Sequence, residues 1–227
     1  MRRRERPADG VHWRPPPGGV RRPVWAFGLH LLGATAPRAL GYRVEGRRHI
    51  PDTGGVLVLA NHPADLDPPA VGLACGPRPA QYMALAKHFT RLPLATLLFA
   101  LGAFPVRTDR PDLRAMRYAR EQLALGRLVI VFPEGGASWS PVLGPFREGA
   151  GHLALTPGVT VVPAAVWGTQ AVLRGWRPVG RGPVRVSFGP PLGVPAEGTP
   201  RERAAAVTAD ARAAIEALLA PLVRAAP

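Results

Sequence analysis

At 227 residues, with 47% apolar and 19% charged side chains, the chain is long enough for one substantial core and too apolar for a disordered protein. One cysteine, Cys75, excludes an internal disulfide framework and leaves no thiolate set for a structural zinc site. No run of about 20 uninterrupted apolar residues exists, so no firm transmembrane span is expected.

The net charge of +14 is carried by arginine, Lys87 being the only lysine. Residues 1–50 hold eleven arginines against Glu5, Asp9 and Glu45, over half of that net charge. Anionic lipid head groups attract such a segment, and so do nucleic-acid phosphates. Charge alone does not separate the two. The chain lacks the aromatic-basic pattern of single-strand binders, and no nucleic-acid partner is expected.

Residues 1–23, with Pro15-Pro16-Pro17-Gly18-Gly19, read as a flexible basic arm; MRRRER is not followed by a clean apolar stretch and cleavage site. Residues 24–40 open with VWAFGLHLLGATA, too short and Gly-broken to span a bilayer. Its arginine flanks suit a helix lying in a membrane interface, and a helix packed on the protein's own core fits nearly as well.

From residue 42 short apolar runs alternate with helical stretches. The strand candidates are Tyr42–Glu45, Val56–Ala60, Gln81–Leu85, Phe104–Thr108, Leu128–Phe132, Thr160–Val166 and Val184–Phe188. Runs such as VLVLA and LVIVF are continuous in apolar residues, as strands covered on both faces are. Helices are expected near 68–75, 89–100, 111–125 and 147–156. In the third of these, Leu113, Met116, Ala119 and Leu123 share a face. Thr199-Pro200-Arg201-Glu202 is a capping box opening a last helix, with Val207, Ala211, Ile215, Leu218 and Leu222 as its apolar stripe. The expectation is one α/β domain over 41–227, with a central mixed, largely parallel sheet of about seven strands flanked by helices.

Asn61-His62-Pro63-Ala64-Asp65-Leu66-Asp67-Pro68 follows the VLVLA run, where a rigid sheet presents a loop. A histidine there can act as a general base, and a carboxylate on its other ring nitrogen fixes the tautomer. The bare H-x4-D pattern also fits a loop histidine with an unrelated carboxylate nearby. Phe132-Pro133-Glu134-Gly135-Gly136 ends the LVIVF run and should open on the same sheet edge, its glycines allowing close approach to a ligand. Gly102-Ala103-Phe104-Pro105-Val106-Arg107 brings an arginine suited to phosphate, with Arg110 close behind. Val161-Val162-Pro163 fits either an acyl-chain wall or plain core beside an edge proline. His49, His88 and His152 have no partners at metal-ligand spacing, and no metal site is expected. No P-loop or G-x-G-x-x-G is present, which leaves nucleotide use unsupported. Cys75 lies in an apolar stretch and reads as inert core.

In this order, N-H-x4-D, the 102–107 stretch, F-P-E-G and the Pro163 strand resemble the motif set of the 1-acylglycerol-3-phosphate acyltransferase family over about residues 40–190. Phe146-Arg147-Glu148-Gly149-Ala150 resembles the stretch that follows the third motif in many members. The resemblance implies direct acyl transfer from a thioester (acyl-CoA or acyl carrier protein, with no cofactor) to a lysophospholipid hydroxyl, giving phosphatidic acid, with His62 as base oriented by Asp67. It implies substrate contacts at Asn61, Arg107, Arg110, Glu134, Gly135, Gly136 and Pro163, membrane lipids as partners, and a peripheral or monotopic place at the cytoplasmic face of the membrane. Two positions depart from the pattern, Ala137 and Thr108, where arginine is usual in the family. Both departures fall on the acceptor's phosphate. They leave open a different amphiphilic acceptor, or a non-catalytic membrane-binding relative.

Overall fold

The computed structural model describes residues 10–13, 41–140, 142–174 and 177–224. Seven strands form one sheet in the order β1-β9-β6-β2-β5-β3-β4. They are β1 (Arg43–Glu45), β2 (Gly55–Ala60), β3 (Ala80–Leu85), β4 (Ala103–Val106), β5 (Leu128–Val131), β6 (Val159–Trp167) and β9 (Arg185–Phe188). From β6 to β4 all neighbours are parallel; β9 runs antiparallel to β6 and parallel to β1, so the sheet is mixed and largely parallel. A separate hairpin pairs β7 (Leu173–Arg174) with β8 (Arg177–Pro178).

The continuous apolar runs have their cause in this placement. Every residue of β2 and β5 is buried, since each strand has neighbours on both sides and helices above and below. Val56, Val58 and Ala60 face one layer, packed with α1 (Asp67–Ala74) and α2 (Leu92–Ala100). Leu57 and Leu59 face the other, packed with α3 (Leu113–Ala124), α4 (Gly149–Ala154) and α5 (Pro200–Arg224). A Cβ on Gly151 would strike the Ala204 carbonyl, so the α4–α5 contact requires glycine there.

The capping box is present: Thr199 N–H donates to Glu202 Oε2 at 2.8 Å and Glu202 N–H to Thr199 Oγ1 at 3.3 Å. The stripe of α5 runs through Val207, Ala211, Ile215, Leu219 and Leu222, with Leu218 only partly buried. Leu113, expected on the apolar face of α3, is 74% exposed and borders a cleft, and the helix buries Ala115, Ala119, Gln122 and Leu123. The β7–β8 hairpin, two residues per strand, is too short to leave a periodic signal and was not among the expected elements.

The arm and apolar segment expected over 1–23 and 24–40 lie outside the described residues, apart from 10–13. There Val11 is buried, His12 N–H donates to the Phe89 carbonyl at 3.0 Å, and the Trp13 ring lies 5.2 Å from Arg107 Cζ and 4.6 Å from Arg114 Cζ. Among the described residues no helix is long and apolar enough to cross a membrane.

Cys75, at the end of α1, sits in the first layer, and burial pushes its thiol up to about 12. Native protein at pH 8 is therefore expected to resist iodoacetamide, and urea-unfolded protein to be alkylated rapidly. Mass spectrometry of the two samples checks this, and equal labelling rates would refute the burial.

Candidate active site

The parallel pair β2–β5 sets the geometry. Leu59 is level with Val131, so the chain leaves both strands at the same edge, one strand spacing apart. Asn61 and His62 follow β2; Pro133, Glu134 and Gly135 follow β5. The chain turns from β2 into α1 within six residues, which returns Asp67, the first residue of α1, to His62. His62 Nδ1–H donates to Asp67 Oδ2 at 2.7 Å, and the same oxygen accepts the Ala64 N–H at 2.7 Å.

Asp67 has no solvent exposure. Burial pushes its carboxyl upward; the His62 ring, the buried Thr169 hydroxyl and the Ala64 N–H act in the opposite direction and favour the carboxylate. The His62 side chain is 13% exposed and its ring stacks on Phe132, centroids 4.3 Å apart. With Nδ1 committed to Asp67, Nε2 is the nitrogen left for an incoming proton.

The loop after β5 holds His62 by its backbone. Glu134 Oε1 accepts the His62 N–H at 2.7 Å, and Ser138 N–H donates to the His62 carbonyl at 2.8 Å. Glu134 Oε2 accepts the Gly144 N–H at 3.0 Å and so also anchors the returning segment. Trp139, next in this loop, is the one non-glycine with positive φ (54°) among the described residues. Such a conformation costs on the order of 1 kcal/mol and persists where surrounding contacts enforce it.

His62 lines a cleft of about 1560 Å³ over the ends of β2, β5, β3 and β4. Met83, Leu85, Leu94 and Leu98 make an apolar wall; Arg107, Arg110, Arg117, Arg120 and Arg147 bring guanidinium groups. Of the residues expected at the substrate, Arg107, Arg110, Gly135 and Gly136 line this cleft together with His62. Asn61, Glu134 and Pro163 are not among its lining side chains. The Asn61 amide is spent on β6, donating to the Val166 carbonyl at 3.0 Å and accepting the Val166 N–H at 2.8 Å. Pro163 is buried in β6 beside Leu59. Asn61 and Glu134 thus fix the frame around His62. A polar residue beside a proposed base reads equally as ligand or as brace in sequence, because a backbone N–H partner leaves no sequence signature.

Thr169 and Arg147 were missed by sequence reasoning. Thr169 carries no local pattern that ties it to Asp67. Arg147 had a signal, its place in the stretch Phe146–Ala150. Among the described residues no group of three or more His, Cys, Asp or Glu side chains is arranged to hold a metal ion.

The family described as Acyltransferase matches residues 41–167, from β1 to the end of β6. A 1-acyl-sn-glycerol-3-phosphate acyltransferase of Chlamydomonas reinhardtii is 31% identical over 150 residues, covering 64% of this chain and 45% of the relative. One from Borreliella burgdorferi is 29% identical over 157 residues, covering 66% and 56%. The chain thus spans about half the length of these relatives. The crystal structure of the 1-acyl-sn-glycerophosphate (LPA) acyltransferase PlsC from Thermotoga maritima superposes with a TM-score of 0.64 at 25% identity, covering 87% of this chain and 79% of that one.

Glu134 accepts two backbone N–H groups, so Glu134→Ala strands both donors and is expected to cost about 2 kcal/mol. Glu134→Gln keeps one acceptor oxygen and should cost about half as much. Urea unfolding at constant m-value measures both. Equal, negligible losses would mean that the carboxylate braces nothing.

Proposed function

Because the chain belongs to the acyltransferase family, we propose that it moves a fatty acyl group from a thioester to the hydroxyl of a lysophospholipid, with 1-acylglycerol-3-phosphate as acceptor and phosphatidic acid as product. The observation that carries this reading is the 2.7 Å bond from His62 to a fully buried Asp67 at the head of an apolar-walled cleft. His62 Nε2 takes the acceptor hydroxyl's proton as its oxygen attacks the thioester carbonyl carbon. Asp67 stabilises the imidazolium that forms. The tetrahedral adduct collapses with cleavage of the C–S bond, and the thiolate leaves with the proton held by His62. No acyl-enzyme is required, and neither is a cofactor. The donor is acyl-CoA or an acyl carrier protein.

The same proposal gives the chain a peripheral or monotopic place on the cytoplasmic face of the membrane, where both acceptor and product partition. Supporting it, Leu92, Leu94 and Leu97 of α2 are each about half exposed, and Leu94 and exposed Leu113 also border the cleft. Lys87 and Arg91 stand beside α2, where anionic head groups would meet them. A second reading, a different amphiphilic acceptor, is favoured by Thr108 and Ala137, which offer no cation at two positions where the resemblance led to arginine.

Purified protein in detergent micelles, given acyl-CoA or acyl carrier protein donors, is expected to acylate lysophosphatidic acid. His62→Ala should lower the rate by about 10²–10⁴-fold, the usual worth of a general base, in protein that circular dichroism shows to be folded. Asp67→Asn should fall within the same range. Undiminished transfer by His62→Ala would overturn the mechanism. Transfer confined to another acceptor would select the second reading.

A further inference from the structure

In a 1-acylglycerol-3-phosphate the reacting hydroxyl and the phosphate ester stand on adjacent carbons. When the hydroxyl is at His62, the phosphate must therefore lie close by. The sheet order tests which arginine suits that place. Arg107 and Arg110 follow β4, the edge strand three places from β2. The loop after β5 is one strand away.

Arg147 is fastened to that nearer loop. Its N–H donates to the Pro133 carbonyl at 2.9 Å, directly behind β5. A Cβ on Gly135 would collide with Arg147 Nε and Cζ, so the guanidinium lies against the bare face of that glycine. Gly135 has φ 79°, a second reason for glycine here. The far end of the guanidinium donates from one terminal nitrogen to the Thr108 carbonyl at 3.1 Å. One side chain thus reaches from the loop carrying Glu134 and Ala137 to the loop carrying Thr108. Among the described residues no carboxylate pairs with it. A guanidinium has five N–H donors in a fork that matches two phosphate oxygens, and the Thr108 carbonyl uses only one.

We propose that Arg147, held between Gly135 and Thr108, binds the acceptor's phosphate and sets the preference for anionic over neutral acceptors, in place of cations at positions 108 and 137. This rests on the acyl-transfer reading above. Arg147 acts on the acceptor alone and takes no part in moving the proton.

The experiment compares lysophosphatidic acid with an uncharged monoacylglycerol as acceptors for wild type, Arg147→Ala, Arg147→Lys and the double variant Arg147→Ala/Ala137→Arg. Arg147→Ala is expected to raise KM for lysophosphatidic acid at least about tenfold, the scale of one charge-assisted contact, leaving KM for the donor within about twofold. Selectivity for the phosphorylated acceptor should fall by the same factor. Lysine, which keeps the charge without the fork, should restore part of it, and arginine at 137 should restore part in the double variant. A merely structural Arg147 would lower kcat for both acceptors equally, without rescue by Ala137→Arg, and that would overturn the proposal. So would an unchanged KM for lysophosphatidic acid. If wild type transfers by way of His62 and Arg147→Ala keeps its selectivity, only this inference falls. No transfer by wild type to either acceptor overturns the acyl-transfer reading as well.

Discussion

Asp67 Oδ2 accepts from the His62 ring and from the Ala64 N–H, both at 2.7 Å, in a place that water does not reach. A carboxylate buried this way is costly unless hydrogen bonds replace its hydration. Asp67 Oδ1 and the buried Thr169 hydroxyl make no hydrogen bond among the described residues. Two features lessen that cost. The two short bonds to Oδ2 are the first, and the position of Asp67 at the start of α1, where the backbone dipole favours negative charge, is the second. Together they draw the turn from β2 into α1 tight, and the turn leaves His62 with one ring nitrogen committed and the other facing the cleft. Loosening Asp67 would free the His62 ring and the Ala64 N–H, the two groups that its Oδ2 holds.

That turn would still wander if only Asp67 held it. The segment after β5 clamps the backbone of His62 at both N–H and carbonyl, through Glu134 Oε1 and the Ser138 N–H. Two parallel neighbours in register, Leu59 beside Val131, make this possible by ending at the same edge of the sheet. Trp139, which follows Ser138 in this loop, carries a positive φ, a conformation that costs a side-chain-bearing residue on the order of 1 kcal/mol. Held on three sides, His62 has the pre-organisation that the proposed proton transfer requires, since such a step loses steeply with misplacement on the ångström scale.

The sheet was legible because burial on both faces writes itself as uninterrupted apolar runs. β2, β5 and β6 are therefore readable in VLVLA, LVIVF and VTVVPAAV. Local chemistry made the start of α5 legible too, since a capping box involves four consecutive residues. What stayed hidden depends on partners distant in sequence. Leu113 matched the helical period and is exposed beside the cleft, because periodicity reports which residues share a face but not what covers each of them. Asn61 and Glu134 carried the right signal and the wrong partner. Each lies beside the base, but their side chains bind backbone groups of Val166, His62 and Gly144. Backbone donors are the same at every residue, so such bonds cannot be read from composition.

The division between the two halves of the site explains which features the chain keeps and which it varies. Asn61, His62, Asp67 and Glu134 are braced around the central strands, Asn61 on the backbone of β6, Glu134 on the His62 N–H and Asp67 on the His62 ring. Arg107, Arg110 and Arg147 stand on segments that leave the sheet, 107–112 and 136–148. A cation there can be lost at one position and supplied from another, provided its head returns to the same space. Thr108 and Ala137 lack the charge, while Arg147 lies against the loop of one and donates to the carbonyl of the other. Under the proposed reaction, recognition carried on loops around a rigid His62 is thus free to change acceptor without disturbing the proton transfer.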